Sequence, residues 1–319
     1  MGAYEYKLYF PISDMAGSPL HPFYPMPPET RSELSGKNPT FVHMNRESGQ
    51  KVLSQTRYHP MKNGLCLIAT APLRLHPDHR SEMVSQLLFG ECFFVLEQVT
   101  DWLHIEMAHD HYRGWVAANQ VELVDEATAE SLEKAPRRLT AEHLYPITER
   151  ISGITQLISA GSQLLLHDTD TMKINDKVFH YQGQTIDPAK PVKNGLQKHA
   201  NLFMHTPYVW GGRSAYGIDC SGYVQTIFRM QGLSMARDAA IQARHGQTIH
   251  LLAEARTGDL AFFDNAEEEI THTGLLTGDG HILHAYGTVR KDRIDHHGIF
   301  NTTNNSYSHR LRIIKRMTD

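Results

Sequence analysis

The chain has 319 residues, 40% hydrophobic and 21% charged, long enough for two or three domains with cores of their own. Its 31 basic and 35 acidic side chains leave a formal net charge of -4, which gives no electrostatic footprint for nucleic acid, and none is expected as a partner. No apolar run approaches the roughly 20 residues that span a bilayer, so no membrane span is expected.

The opening stretch Met1-Gly2-Ala3-Tyr4-Glu5-Tyr6-Lys7 carries no basic-then-apolar secretory signal. If Met1 is the native start, the expected location is the cytoplasm. The alternative is a periplasmic or secreted protein whose signal peptide has been removed. Residues 1–60 are rich in proline, as in Pro25-Met26-Pro27-Pro28, and read as an irregular arm laid over the other domains. Of three cysteines, Cys66 and Cys92 lie in apolar runs and read as buried strand residues.

Residues 61–125 alternate short apolar runs (65–69, 92–96, 102–107 and 114–118) with polar or turn-rich segments, the pattern of a small barrel. The segments Leu73-Arg74-Leu75-His76-Pro77, Leu88-Phe89-Gly90-Glu91, Trp102-Leu103-His104-Ile105 and Tyr112-Arg113-Gly114-Trp115-Val116 resemble bacterial SH3-like domains. Residues 126–138 are polar and helix-prone and read as a linker. Residues 139–190 return to short apolar runs and are expected to form a second, diverged SH3-like barrel. His104, His109 and His111 cluster in sequence, but a strand end and a hairpin loop explain them, and no metal is expected there.

Residues 195–319 carry the chemistry. A helix is expected over 196–205 and another over 220–231, where Val224, Ile227, Phe228 and Gln231 share a stripe and Gly232 stops the helix. Strands are expected over 259–263, 272–277, 281–285 and 311–315, giving an α+β layout. Cys220 opens the second helix, where free amides and the dipole favour an anion. A thiol needs such help, or a neighbouring imidazole, to attack a carbonyl. His272 is the candidate base and His284 the group that orients it. Gly278-Asp279-Gly280 signals a hairpin between them. With a three-residue loop, 274 pairs with 284, and 272 and 284 become diagonal neighbours on one face. A two-residue loop would put them on opposite faces. Outside that context, a cysteine at a helix start also reads as a small buried residue.

Residues 207–223, Pro-Tyr-Val-Trp-Gly-Gly-Arg-Ser-Ala-Tyr-Gly-Ile-Asp-Cys-Ser-Gly-Tyr, resemble the nucleophile motif of the NlpC/p60 cysteine peptidases. Arg237-Asp238-Ala239, Thr257-Gly258-Asp259-Leu260-Ala261-Phe262-Phe263, His272-Thr273-Gly274 and His281-Ile282-Leu283-His284-Ala285 continue the resemblance in order. It implies a papain-like catalytic domain over 195–319, a catalytic Cys220, His272 and His284, and no cofactor. With an SH3-like domain ahead of it, the chain is similar to γ-D-glutamyl-L-diamino acid endopeptidases, which implies a murein peptide, L-Ala-γ-D-Glu-diamino acid, as partner. By position, Asp219 and Ser221 would bind its amino end, Tyr208 would line the pocket, and Tyr112 would close it. Glu82 or Glu91 would supply a charge for the amine. Ala239-Ala240 stands where such enzymes often carry serine after Arg-Asp, which puts one polar contact to substrate in doubt. The other functions weighed are a wall-binding module with an inert catalytic domain, and an amidase or acyltransferase on the same fold.

Overall fold

The computed structural model describes residues 63–166, 170–302 and 304–318, together with two short strands, Val42–Met44 and Lys51–Leu53. Those two strands pair antiparallel, so the stretch read as irregular holds a small hairpin. The rest of the expected arm lies outside the described residues.

Residues 63–124 form a seven-stranded antiparallel sheet, as the alternation of apolar residues requires. Ala71, Leu73, Leu87, Phe93, Val95, Leu103, Ile105 and Val116 point into its core. The run 65–69 is not one strand. Leu65 ends the strand Asn63–Leu65 and Thr70 begins the next, Thr70–Arg74. Between them the chain bends, and the fully buried Cys66 thiol donates to the Ile68 carbonyl at 3.3 Å. Cys92 is half-buried, and all three cysteines are free.

The linker forms helix α1 (Glu126–Lys134), whose first turn is capped by the Asp125 carboxylate accepting from Thr128 N at 2.7 Å. The following segment is all β, in sheets of three and four strands. Its core, with Ile147, Ile158, Leu164, Met172 and Phe179, runs on into Leu65 and Phe89 of the preceding sheet.

Among the described residues from 195 on, three α-helices, a two-stranded ribbon (Arg213–Ser214 with Gly217–Ile218) and one large sheet complete the fold. Helix α2 (Gly195–Leu202) packs on α3 (Cys220–Met230), and α4 (Ala239–Gln242) is short. The sheet strands are β1 (Gln247–Ile249), β2 (Leu260–Asp264), β3 (Ile270–Leu276), β4 (His281–Tyr286), β5 (Thr288–Ile294), β6 (Gly298–Asn301) and β7 (Ser306–Arg316). Their order is β1-β7-β2-β3-β4-β5-β6, and β7 also pairs with β6, so the sheet curls back on itself. Helix α3 is buried on nearly every side, more than a single stripe predicts. Tyr223, Val224, Ile227 and Phe228 pack on Phe203 of α2's end and on Leu260, Phe262, Leu275 and Leu283 of the sheet.

Candidate active site

Cys220 is the first residue of α3, and Asp219 caps that helix by accepting from Gly222 N at 2.7 Å. The Cys220 thiol is buried and faces the Thr271 carbonyl of β3 at 3.9 Å, one residue before His272. The hairpin register is the three-residue one. Gly274 pairs with His284, and Gly278 and Gly280 take the positive φ values (+77° and +78°) that such a turn needs. His272 Nε2 and His284 Nδ1 therefore meet across the strands at 2.8 Å, both rings buried. The His284 Nε2 lies 3.0 Å from Asp292 Oδ2 of β5, and Arg290 Nη2 donates to Asp292 Oδ1 at 2.8 Å.

Burial sets the electrostatics here. It pushes the Cys220 thiol up to about 12, with the nearby Asp219 charge acting the same way. It holds the His272 imidazole well below its usual range, helped by His309 and His284. Both effects favour a neutral thiol beside a neutral imidazole, against the thiolate that the helix terminus alone would favour.

His309 of β7 brings a third imidazole, and His272, His284 and His309 each offer a nitrogen within 4.8 Å of the others. The His272 and His309 rings are stacked, centroids 4.1 Å apart at 23°. In-plane lone pairs of stacked rings run side by side and do not converge on one ion. His272 Nε2 and His284 Nδ1 are also committed to each other, so this arrangement is not a ligand set. The sequence cluster His104, His109 and His111 is dispersed. His104 stacks on Trp115, His111 bonds Glu106, and His109 takes a bond from Arg213 at 3.1 Å.

The expected substrate residues divide into two groups. Asp219 accepts from Gly211 N at 2.8 Å and from Arg237 at 2.6 and 3.0 Å, besides its cap bond. Ser221 Oγ accepts from the same guanidinium at 2.9 Å. Both side chains are buried and hold intramolecular partners. Asp219 caps the helix and anchors Arg237. Glu91, the alternative to Glu82 as the amine's partner, is enclosed between the two domains. It is fully buried and accepts from Arg213 at 3.0 and 3.1 Å and from Arg229 at 2.6 Å.

The other group, Tyr208, Tyr112 and Glu82, is half-buried or exposed. Tyr208 is half-buried, and burial above all pushes its phenol up. Tyr112 Oη donates to Asp238 Oδ1 at 3.5 Å across the domain boundary. Asp238 is open to solvent on one side, yet crowding by the protein and then the Asp219 charge raise its carboxyl above the usual range. The exposed Glu82 accepts from Trp210 Nε1 at 2.6 Å, again across the boundary. Strand Met83–Leu88 holds these contacts in place. The Gln86 side chain accepts from Arg213 N at 2.8 Å, and Arg237 Nε donates to Ser85 Oγ at 3.2 Å. Sequence reasoning gave no role to Asp238, although it quoted Arg237-Asp238, and did not reach Asp292 or His309.

This site lies within a recognised sequence pattern. Residues 205–311 match the NlpC/P60 family, and residues 73–121 match the bacterial dipeptidyl-peptidase SH3 domain. A γ-D-glutamyl-L-lysine dipeptidyl-peptidase of Bacillus cereus is 26% identical over 241 residues, 66% of this chain and 70% of that one. A probable endopeptidase of Haemophilus influenzae is 32% identical over 128 residues, 40% of this chain and 78% of that one. The crystal structure of an NlpC/P60 family protein from Bacillus cereus superposes with a TM-score of 0.70 at 19% identity, covering 80% of this chain and 99% of that one, a likeness of fold. With the helix–sheet arrangement around Cys220, His272 and His284, these matches show that the chain belongs to the NlpC/P60 family of cysteine peptidases and carries an SH3-like domain of the bacterial dipeptidyl-peptidase type ahead of the NlpC/P60 domain.

Proposed function

We propose that the protein is a cysteine endopeptidase that hydrolyses the γ-D-glutamyl-diamino acid bond of murein peptides whose L-Ala keeps a free amino group. Cys220 Sγ attacks the γ-carbonyl while His272 takes its proton. The amide of Cys220, at the start of α3, is placed to hold the oxyanion. The C–N bond breaks as His272 returns the proton to the leaving amine, and water then cleaves the thioester. His284 orients His272.

The observation that supports the substrate reading is the pair of contacts by which the SH3-like domain meets the NlpC/P60 domain. Tyr112 reaches Asp238, and Glu82 holds Trp210, so two carboxylates and a phenol line the boundary between the domains, and on this reading the amino end of a short peptide lies against them. An ammonium that leaves water needs such partners. The residues are Asp238 and Glu82, with Tyr112 walling them in and Tyr208 lining the pocket. Asp219 and Ser221, both held by Arg237, are further candidates for the same amino end. On this reading those contacts close the site to a peptide that extends beyond the L-Ala.

The test compares L-Ala-γ-D-Glu-diamino acid tripeptide with its N-acetyl form and identifies the products by mass. Free tripeptide should give L-Ala-D-Glu and the diamino acid, and the acetylated form should resist. Intact sacculi, whose L-Ala is amide-linked, should be poor substrates. Equal rates on the free and acetylated peptides would reject the gate and favour a general wall hydrolase.

A further inference from the structure

The chain of hydrogen bonds behind His272 does not stop at His284. Asp292 lies two residues beyond Arg290, which pairs directly with His284 across β4 and β5, so its carboxylate meets the far nitrogen of His284 at 3.0 Å. Hydrogen bonding and charge from His284 and Arg290 outweigh burial and hold the Asp292 carboxyl below its usual range, so it is an acceptor. His284 must then carry its proton on Nε2, which leaves Nδ1 as an acceptor. His272 Nε2, 2.8 Å from that Nδ1, must in turn be the donor. The remaining nitrogen of His272, Nδ1, is left without a proton.

We infer that Asp292 is a positioning residue that sets the tautomer of His272 through His284, so that the base presents an unprotonated Nδ1 to the Cys220 thiol. The inference rests on the roles given above to Cys220 and His272. Without the carboxylate, His284 is free to carry its proton on Nδ1 and donate it to His272 Nε2. That reversal moves the His272 proton to Nδ1 and blocks proton transfer from the thiol. Other groups facing His284 do not fix this choice. His309 of β7 meets it edge-on at 5.8 Å, and Tyr286 lies parallel at 6.3 Å. Arg290 acts on Asp292 and orients its carboxylate.

The test uses the full chain with Asp292→Asn and Asp292→Glu, each also in a His284→Ala background. Two readouts are the pH dependence of iodoacetamide alkylation of Cys220, which needs no substrate, and kcat and KM on the tripeptide. Asp292→Asn should slow alkylation at neutral pH and shift its rise to higher pH. It should lower kcat about tenfold or more with KM nearly unchanged, well short of the ~10⁴ lost when a carboxylate that touches the base directly is amidated. Asp292→Glu should restore the wild-type alkylation profile. In the His284→Ala background, Asp292→Asn should have no further effect. In the wild type, imidazole ¹⁵N spectra should place the protons of His272 and His284 on Nε2. An unchanged alkylation profile in Asp292→Asn, an equal loss in the His284→Ala background, or an Nδ1 proton on either ring would overturn the inference. A shifted alkylation profile in a protein that leaves the tripeptide intact would count against the substrate reading alone.

Discussion

Replacing Glu91 by glutamine removes the carboxylate that joins the SH3-like domain to the NlpC/P60 domain. Glu91 and Arg213 are each at most 1% exposed, and Arg229 reaches the same carboxylate from α3. Burial pushes the Glu91 carboxyl up, but the Arg213 and Arg229 charges, and less strongly His109, bring it down to about 2 from an ordinary 4.5. At about 1.4 kcal/mol per pKa unit, that difference is worth about 3 kcal/mol, the lower end of the ~3–5 kcal/mol lost when one partner of a buried pair is removed. The sign follows from the depressed folded value. The stabilisation is complete above the unfolded value of about 4.5 and is lost as pH falls toward about 2. In urea at pH 7, Glu91→Gln should lose about 3 kcal/mol, a midpoint drop of roughly 1 M at a slope near 3 kcal/mol/M. Because the network joins two domains, the variant should also separate their unfolding. The gap between wild type and variant should narrow between pH 4.5 and 2.5. A gap under about 1 kcal/mol at pH 7, or one that stays constant down to pH 2.5, would refute the network as the joint between the domains.

Cys220→Ser should keep the fold, read by circular dichroism, and lose nearly all turnover, with His272→Ala equally damaging and His284→Ala milder. Activity in Cys220→Ser above roughly a tenth of wild type would remove the thiol from the mechanism. Gly211 has φ +78°, and an added Cβ would lie 2.2 Å from the Met83 carbonyl oxygen. Gly211→Ala should therefore push strand Met83–Leu88 off the nucleophile loop and weaken discrimination against N-acetylated peptide, measured as the ratio of kcat/KM for the two substrates. His272 must be neutral to accept a proton, and burial with its imidazole neighbours holds it well below 6.5. Activity should thus fall only below pH 6.5, as the falling pH passes the His272 value. An acid limb of kcat/KM at or above 6.5 would contradict that environment.

The helix at Cys220 and the β3–β4 hairpin were legible because each is local. An apolar stripe ending at Gly232 marks α3, and Gly278-Asp279-Gly280 fixes the register that brings 272 beside 284. The same diagonal rule, applied once more across the turn at Gly287, places Asp292 beside His284. That step was open to sequence reasoning, but the run 288–294 is mostly polar and lacks the apolar signal that marks a strand. His309 was out of reach for a different reason. β7 begins at Ser306 and breaks register with β2 between Phe262 and Phe263, so no alternation of sequence shows which of its residues face the site. The partners of three polar residues were hidden for another reason. Asp219, Ser221 and Glu91 are polar groups near the motif, and nothing in their own segments reveals that Arg237, Arg213 and Arg229 saturate them. Those arginines lie 16 to 138 positions away along the chain. A buried carboxylate must be paired, so burial and partner are decided together by the tertiary fold. Asp238 shows the converse. It sits next to Arg237 in sequence but stays open to solvent and meets Tyr112 of the other domain. Of two adjacent charged residues, one is spent on holding the fold and the other is left exposed beside Tyr112, a division that only the packing of strand Met83–Leu88 against the loop before Cys220 determines.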